Sequence, residues 1–95
     1  MARLYPGGTE PLVRVDGNAI AGALSEIFAT DMTVASLTCG HCGRTAMLAV
    51  ASVELDDDGF IVLCRSCDHT LFTGVRREGQ LSIYLQNVTA LTVQR

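Results

Sequence analysis

Cys39-Gly-His-Cys42-Gly43 and Cys64-Arg-Ser-Cys67-Asp68 contain all four cysteines of the chain, and they decide its predicted fold. Together they form the pattern C-x2-C-x21-C-x2-C, a spacing typical of a structural zinc site. A short turn can present two sulfurs on one side, and two such turns complete a tetrahedron around one ion. Glycine at Gly40 and Gly43 suits turns of this kind, which often need a positive φ. The pattern predicts one Zn²⁺ held by Cys39, Cys42, Cys64 and Cys67.

Other uses of paired cysteines are less compatible with this sequence. Disulfides require an oxidising compartment, and residues 1–16 show no secretory signal peptide. A thioredoxin-like site normally uses one C-x-x-C motif in a βαβ setting, whereas this chain has two motifs and no predicted helix after either. Iron also accepts four sulfurs in a tetrahedron. Because Asp68 stands where rubredoxin-like proteins often have glycine, zinc is favoured and iron remains the alternative.

Length and composition place further bounds on fold and partners. With 95 residues the chain forms one small domain, for which a stabilising metal is plausible. Hydrophobic residues make up 48% of it, which indicates either a well-buried sheet or an apolar surface kept for a partner. The net charge of −3 and the absence of a basic stripe argue against nucleic-acid binding. No apolar run approaches the roughly 18 residues that a membrane span needs.

The N-terminal third is predicted to contain an arm and one helix. Residues 1–15 include two prolines and two glycines and are expected to form a flexible or partner-ordered arm, although Leu12, Val13 and Val15 could make a short edge strand. Residues 16–32 carry apolar side chains at helical spacing and predict a helix. This helix packs either on the sheet or on a partner, and the candidate partner-binding residues are Ile20, Leu24, Ile27 and Phe28.

The remainder of the chain, interrupted only by turns, is predicted to be strands. Asp58-Gly59 is a turn sequence between two apolar runs and predicts a hairpin that leads into Cys64. The expected strands are residues 33–38, 44–55, 60–63, 69–76 and 81–85, with a further strand or helical turn at 88–93. The fold class is therefore α+β: a zinc-ribbon-like antiparallel sheet with one N-terminal helix, forming a single domain over residues 16–95.

Few other polar residues suggest a functional role. Arg44 and Arg65 lie next to cysteines and could offset the charge of an anionic site, or they could simply be solvated. His69 is a candidate metal ligand, or a hydrogen-bond donor to one of the ligands, although an ordinary strand residue is the simpler interpretation. His41 is expected to be exposed. The sequence contains no defensible catalytic triad or carboxylate pair, and no small-molecule substrate is inferred.

The predicted helix 16–32, followed by Cys39-x-x-Cys42-Gly43-Arg44 and Cys64-x-x-Cys67-Asp68, resembles a family of short bacterial zinc-ribbon-like proteins of uncharacterised function. The likeness covers nearly the whole chain after residue 14. It implies a cytoplasmic zinc ribbon with an N-terminal helix and supplies no activity.

These features favour a non-catalytic role. The leading hypothesis is a zinc-binding structural and protein-interaction module, an accessory or regulatory subunit that binds a protein partner or its own copy in the cytoplasm. The alternatives are a rubredoxin-like iron protein that transfers electrons to a redox enzyme, and a thiol redox sensor that releases zinc on oxidation.

Overall fold

A computed structural model describes residues 13–93, which form two antiparallel sheets and one short α-helix. The strands in this range are β1 (Val13–Asp16), β2 (Ser36–Cys39), β3 (Thr45–Met47), β4 (Ser52–Asp56), β5 (Gly59–Leu63), β6 (Thr70–Arg77), β7 (Gln80–Leu85) and β8 (Val88–Thr92). The larger sheet has the order β1-β4-β5-β6-β7, and the smaller has the order β3-β2-β8. The α+β class with antiparallel pairing is as predicted, but the strands divide between two sheets where one was expected.

Two tight hairpins set the register of the larger sheet. Between β4 and β5, the Asp56 carboxylate accepts hydrogen bonds from the backbone amides of Asp58 and Gly59, at 2.7 and 3.0 Å. Between β6 and β7, Glu78 and Gly79 have φ values of 51° and 80°, as a two-residue type I′ turn requires. The first turn is Asp57-Asp58, one residue before the predicted Asp58-Gly59, and the second lies between the strands predicted at 69–76 and 81–85.

The predicted helix over residues 16–32 is largely wrong. A 3-10 turn at Gly17–Ile20 leads into α1 (Ala21–Leu24), and the last helix-like hydrogen bond in this stretch is donated by the amide of Phe28. The helix ends early because Ser25 Oγ bonds back to the Gly22 carbonyl at 2.7 Å and because Asp31 instead caps a separate 3-10 turn at Met32–Val34. Short polar side chains compete with helical hydrogen bonding in this way.

The short edge strand, one of the two possibilities for Leu12, Val13 and Val15, is present as β1. β1 pairs with β4, with Val15 opposite Val53 and Asp16 opposite Ser52. Residues 13–15 of the expected arm thus belong to the larger sheet, and residues 1–12 lie outside the described part of the chain.

The core fills the space between the sheets and the helical segment, which comprises the helical turns of residues 17–34. Its least exposed large side chains come from the 3-10 turn before α1, from the connection between β3 and β4, and from strands β4 and β5. They are Ile20, Leu48, Val53, Val62 and Leu63. The helical segment therefore packs on the protein's own sheets. In residues 13–93 no helix is long and apolar enough to cross a membrane.

Candidate metal centre

Each sheet contributes one cysteine turn to the site. The first knuckle, residues 39–43, connects β2 to β3 in the smaller sheet, and the second knuckle, residues 64–68, connects β5 to β6 in the larger sheet. A group bound by both knuckles would join the two sheets at this point.

The two knuckles have the same backbone pattern. In the first, the amide of Gly43 donates to the Cys39 carbonyl at 2.9 Å; in the second, the amide of Asp68 donates to the Cys64 carbonyl at 2.7 Å. The residue after each second cysteine is left-handed, with φ of 80° at Gly43 and 65° at Asp68. Glycine adopts this conformation without strain, whereas Asp68 adopts it at some cost. The positive φ predicted for the first knuckle is present at Gly43 but not at Gly40.

The four sulfurs lie together across the gap between the sheets. All four Sγ atoms are within 4.8 Å of one another. Two contacts cross from one knuckle to the other, with Cys39 Sγ and Cys67 Sγ 3.7 Å apart and Cys42 Sγ and Cys64 Sγ 3.7 Å apart. These separations are far longer than the S–S bond of about 2.05 Å, and the cysteines are free thiols.

This arrangement fits a tetrahedral metal ion. A Zn–S bond of about 2.3 Å places the ligands of a regular tetrahedron about 3.8 Å apart, close to the two sulfur contacts between the knuckles. Four thiolates without oxygen or imidazole suit zinc or iron and do not suit magnesium or calcium. The four cysteines can therefore hold one metal ion, and their number and type do not distinguish zinc from iron.

The environments of Cys39 and Cys67 shift the pKa values of their thiols in opposite directions. Burial of Cys39 raises the pKa of its thiol, but the backbone amides of Cys42 and His41 outweigh this and lower it to about 7. The His41 amide lies 3.3 Å from Cys39 Sγ. The His69 amide lowers the pKa of Cys67, yet burial and the neighbouring cysteines raise it to about 12. Four neighbouring thiols do not all lose their protons readily without a cation. A bound metal ion favours the thiolate form of all four, because a coordinating thiol is deprotonated.

Polar side chains link the knuckles above the sulfurs. The rings of His41 and His69 are stacked, with centroids 3.5 Å apart and planes inclined by 15°. Arg44 Nη1 donates to Ser66 Oγ at 3.0 Å. Both histidines are exposed, and neither belongs to the group of possible metal ligands among residues 13–93. Contacts of this kind hold the two knuckles against each other.

Arg65 contacts the backbone of a neighbouring turn. Its Nε donates to the carbonyl of Val50 at 2.7 Å, which ties the second knuckle to the segment between β3 and β4. Of the three residues proposed to surround the sulfurs, Arg44 joins the knuckles, Arg65 anchors one of them, and His69 stacks on His41.

Arg14 also contacts the second knuckle, a role that the sequence pattern does not indicate. From the edge strand β1 it reaches Glu54 Oε2 on β4 at 3.1 Å and Asp68 Oδ1 in the second knuckle at 2.9 Å. The Asp68 contact holds the one knuckle residue that is left-handed without being glycine. No local motif marks this role, since Arg14 lies 54 residues from Asp68.

Comparison with known proteins gives a family but no activity. A family model described as a family of unknown function (DUF6510) matches residues 9–95. The chain belongs to DUF6510. No curated protein and no solved structure matches it. The matched region includes both knuckles and every strand described above.

In this DUF6510 member the four residues predicted to contact a partner are divided between core and surface. Ile20 and Leu24 are 1% and 3% exposed and lie in the core, so they are not free to bind another protein in this conformation. Phe28 is half-buried, and Ile27 is 45% exposed. The helical spacing therefore marked mainly core positions.

An apolar cavity of about 220 Å³ lies near the end of the larger sheet. Phe28 and Met32 line it from the helical segment, and Phe72 and Leu85 line it from β6 and β7. Leu91 lines it from β8. It forms where the chain passes from one sheet to the other, an arrangement that the sequence pattern does not reveal.

Proposed function

We propose that this protein is a zinc-stabilised structural module that serves to bind another protein. One Zn²⁺ held by Cys39, Cys42, Cys64 and Cys67 fixes the two sheets in one relative position. The observation that carries the proposal is that four sulfurs, two from each sheet, lie within 4.8 Å of one another.

The ligand set supports a structural role over a catalytic one. Zinc sites that catalyse reactions keep one coordination position for water or substrate, whereas four cysteine ligands leave none. The proposed role is therefore that of an accessory or regulatory subunit.

The small size of the protein explains why an ion would be needed. The smaller sheet consists of strands of three, four and five residues. Binding of zinc to structural sites contributes about 10–16 kcal/mol in zinc-finger peptides, which is comparable to the whole unfolding free energy of a typical small domain, about 5–15 kcal/mol. We expect removal of the ion to unfold the smaller sheet and to expose the core that it covers.

The proposed partner is a protein and the proposed compartment is the cytoplasm. Four free thiols are compatible with a reducing compartment. The net charge of −3, with two further formal negative charges on a zinc site of four thiolates, disfavours binding to nucleic acid.

Native mass spectrometry of the purified protein, followed by chelation, tests the proposal. We expect one zinc per chain, and loss of the cooperative thermal transition in excess chelator. The variant Cys64→Ser should lose zinc, whereas the matched variant Ser66→Ala, in the same knuckle, should retain it. A cooperative transition that survives complete removal of metal would contradict the proposal, and so would a protein that carries iron and absorbs visible light.

A thiol redox sensor is the second candidate, because Cys42 is exposed and lies 3.7 Å from Cys64. Hydrogen peroxide would accept two electrons from these two thiolates, forming one disulfide and two hydroxide ions and releasing the zinc. Stoichiometric zinc release by mild peroxide, reversed by a dithiol, supports this role, and retention of zinc excludes it.

A further inference from the structure

Strand β7 is an edge of the larger sheet. It pairs with β6 on one side, and within residues 13–93 no strand pairs with its other side. An unpaired edge presents a row of amide and carbonyl groups that can accept another strand.

The register identifies which groups point outward. Arg77 and Gln80 flank the two-residue turn and form the first hydrogen-bonded pair with β6, and such pairs alternate along an antiparallel ladder. The amide of Gln86 continues the same alternation by donating to the Leu71 carbonyl at 3.0 Å. The backbone groups of Leu81, Ile83 and Leu85 therefore face away from β6, at the open edge.

This edge lacks the features that usually protect one. Residues 80–93 contain no charged residue, no proline and no glycine. Tyr84 and Leu85 are 55% and 71% exposed. Natural edge strands are commonly protected by charges, proline or a bulge.

The other edges in residues 13–93 are less suited to pairing. β1 carries the charged residues Arg14 and Asp16, and β3 has only three residues. β8 is irregular, because its pairing with β2 shifts register between Thr38 and Cys39. A bulge of this kind twists an edge away from further pairing.

We infer that β7 is the dimerisation strand of this protein and that its partner is β7 of a second copy. Leu81-Ser-Ile-Tyr-Leu85 is apolar at both ends and at its centre. In an antiparallel pairing centred on Ile83, Leu81 of each copy lies opposite Leu85 of the other copy, and the two Ile83 side chains face each other. Three outward residues from each copy then exchange about six hydrogen bonds.

The apolar pattern of Leu81-Ser-Ile-Tyr-Leu85 is complementary to itself in an antiparallel pairing, which favours a second copy over a different protein, and the absence of charge at this edge limits the repulsion between copies. Two molecules that each carry a net charge of −3 repel one another, and residues 80–93 allow them to meet without placing like charges in contact. The pairing also covers Leu85, the most exposed of the large apolar side chains among the residues with described side chains. The inference rests on the proposed function in one respect: β7 forms this edge only in the folded protein, which zinc is proposed to stabilise.

Sedimentation equilibrium of the zinc-loaded protein tests the pairing. Because a six-residue edge is smaller than a standard interface, we expect a dissociation constant of about 10–100 µM and a species with twice the 10.1 kDa mass of the chain. Leu85→Glu should raise the dissociation constant at least about tenfold, since it buries a charge beside Leu81 of the other copy. The matched variant Leu91→Glu, on the neighbouring β8 edge, should change it less than about twofold.

Hydrogen exchange at individual amides tests the register. The amides of Leu81, Ile83 and Leu85 should be protected at high concentration and should lose protection on dilution or in Leu85→Glu. The amides of Ser82 and Tyr84, which bond to β6, should stay protected in both states.

Three results would overturn the inference: a monomer at about 1 mM, equal effects of the two glutamate substitutions, or protection of the outward amides in the monomer, which would mean that another part of the same chain covers the edge. Zinc content is measured in every variant. A dimer that persists after chelation contradicts the structural role of zinc but agrees with pairing through β7. A zinc-loaded monomer contradicts the pairing but agrees with the structural role of zinc.

Discussion

Replacing Gly43 with alanine should destabilise the zinc-bound protein by about 1 kcal/mol through the backbone alone. Gly43 has a φ of 80°, and a Cβ built on it meets no atom within 4 Å, so the substitution causes no steric clash. The left-handed conformation costs a non-glycine residue about 1–2 kcal/mol. Alanine recovers about 0.4–1 kcal/mol by restricting the unfolded chain, which leaves the expected net loss.

The second knuckle provides the reciprocal experiment, Asp68→Gly. Glycine would remove the same conformational cost of about 1–2 kcal/mol, but it would increase the entropy lost on folding by about 0.5–1 kcal/mol. It would also break the ion pair with Arg14, whose two side chains are 50% and 68% exposed and whose contribution is therefore about 0.2–1 kcal/mol. We expect the terms to cancel to within about 0.5 kcal/mol.

Chemical denaturation at a fixed free zinc concentration measures both changes, because zinc binding itself shifts the apparent stability. Thermal melts should show a decrease of about 4–8 °C for Gly43→Ala and little change for Asp68→Gly. A stability of Gly43→Ala equal to that of the unmodified protein would refute the reasoning. So would equal losses in the two variants, because the knuckles would then not differ in backbone strain.

Four further substitutions test the core and one turn. Leu48→Ala should cost about 2–5 kcal/mol in urea denaturation, since the side chain is 2% exposed; a loss below about 1 kcal/mol would mean that the site collapses around the smaller residue. Gly74→Ala should cost about 1–3 kcal/mol, because the new Cβ would overlap the Phe60 ring, and Phe60→Leu in the same chain should recover part of that loss. Hydrogen bonds from the Thr33 side chain and amide lower the pKa of Asp31 from its ordinary value of 3.8, so this carboxylate stabilises the fold above about pH 4 and loses that effect as the pH falls. Asp31→Ala should therefore weaken the protein at pH 7 and reduce the pH dependence of its unfolding free energy below pH 4, and an unchanged pH profile would count against the contact.

The metal ligands and the hairpins could be predicted because their determinants are local in the sequence. The spacing within each C-x-x-C motif identifies the four ligands without knowledge of the rest of the fold. Asp56 to Gly59 and Arg77 to Gln80 are turns because of the residues within them.

The helix was overestimated because its apolar spacing continues beyond its hydrogen bonding. Ile20 and Leu24 lie in the core as a helical face would, but Ile27 is 45% exposed. Ser25 and Asp31 end or redirect the backbone through side-chain hydrogen bonds that spacing does not report.

The division into two sheets and the role of Arg14 depend on contacts between distant residues. β8 returns to pair with β2, and Arg14 reaches Asp68 across 54 positions. Neither contact leaves a pattern in a single sequence, since nothing near Arg14 or in β8 distinguishes them from ordinary surface positions.

The placement of the two knuckles in different sheets has a consequence for synthesis on the ribosome. A growing chain that ends before Cys67 offers at most three sulfurs, and the smaller sheet still lacks β8, which supplies its third strand. We therefore expect stable binding of the ion only after β8 has emerged. β8, the last of the strands described in residues 13–93, thus completes the sheet that carries the first two ligands.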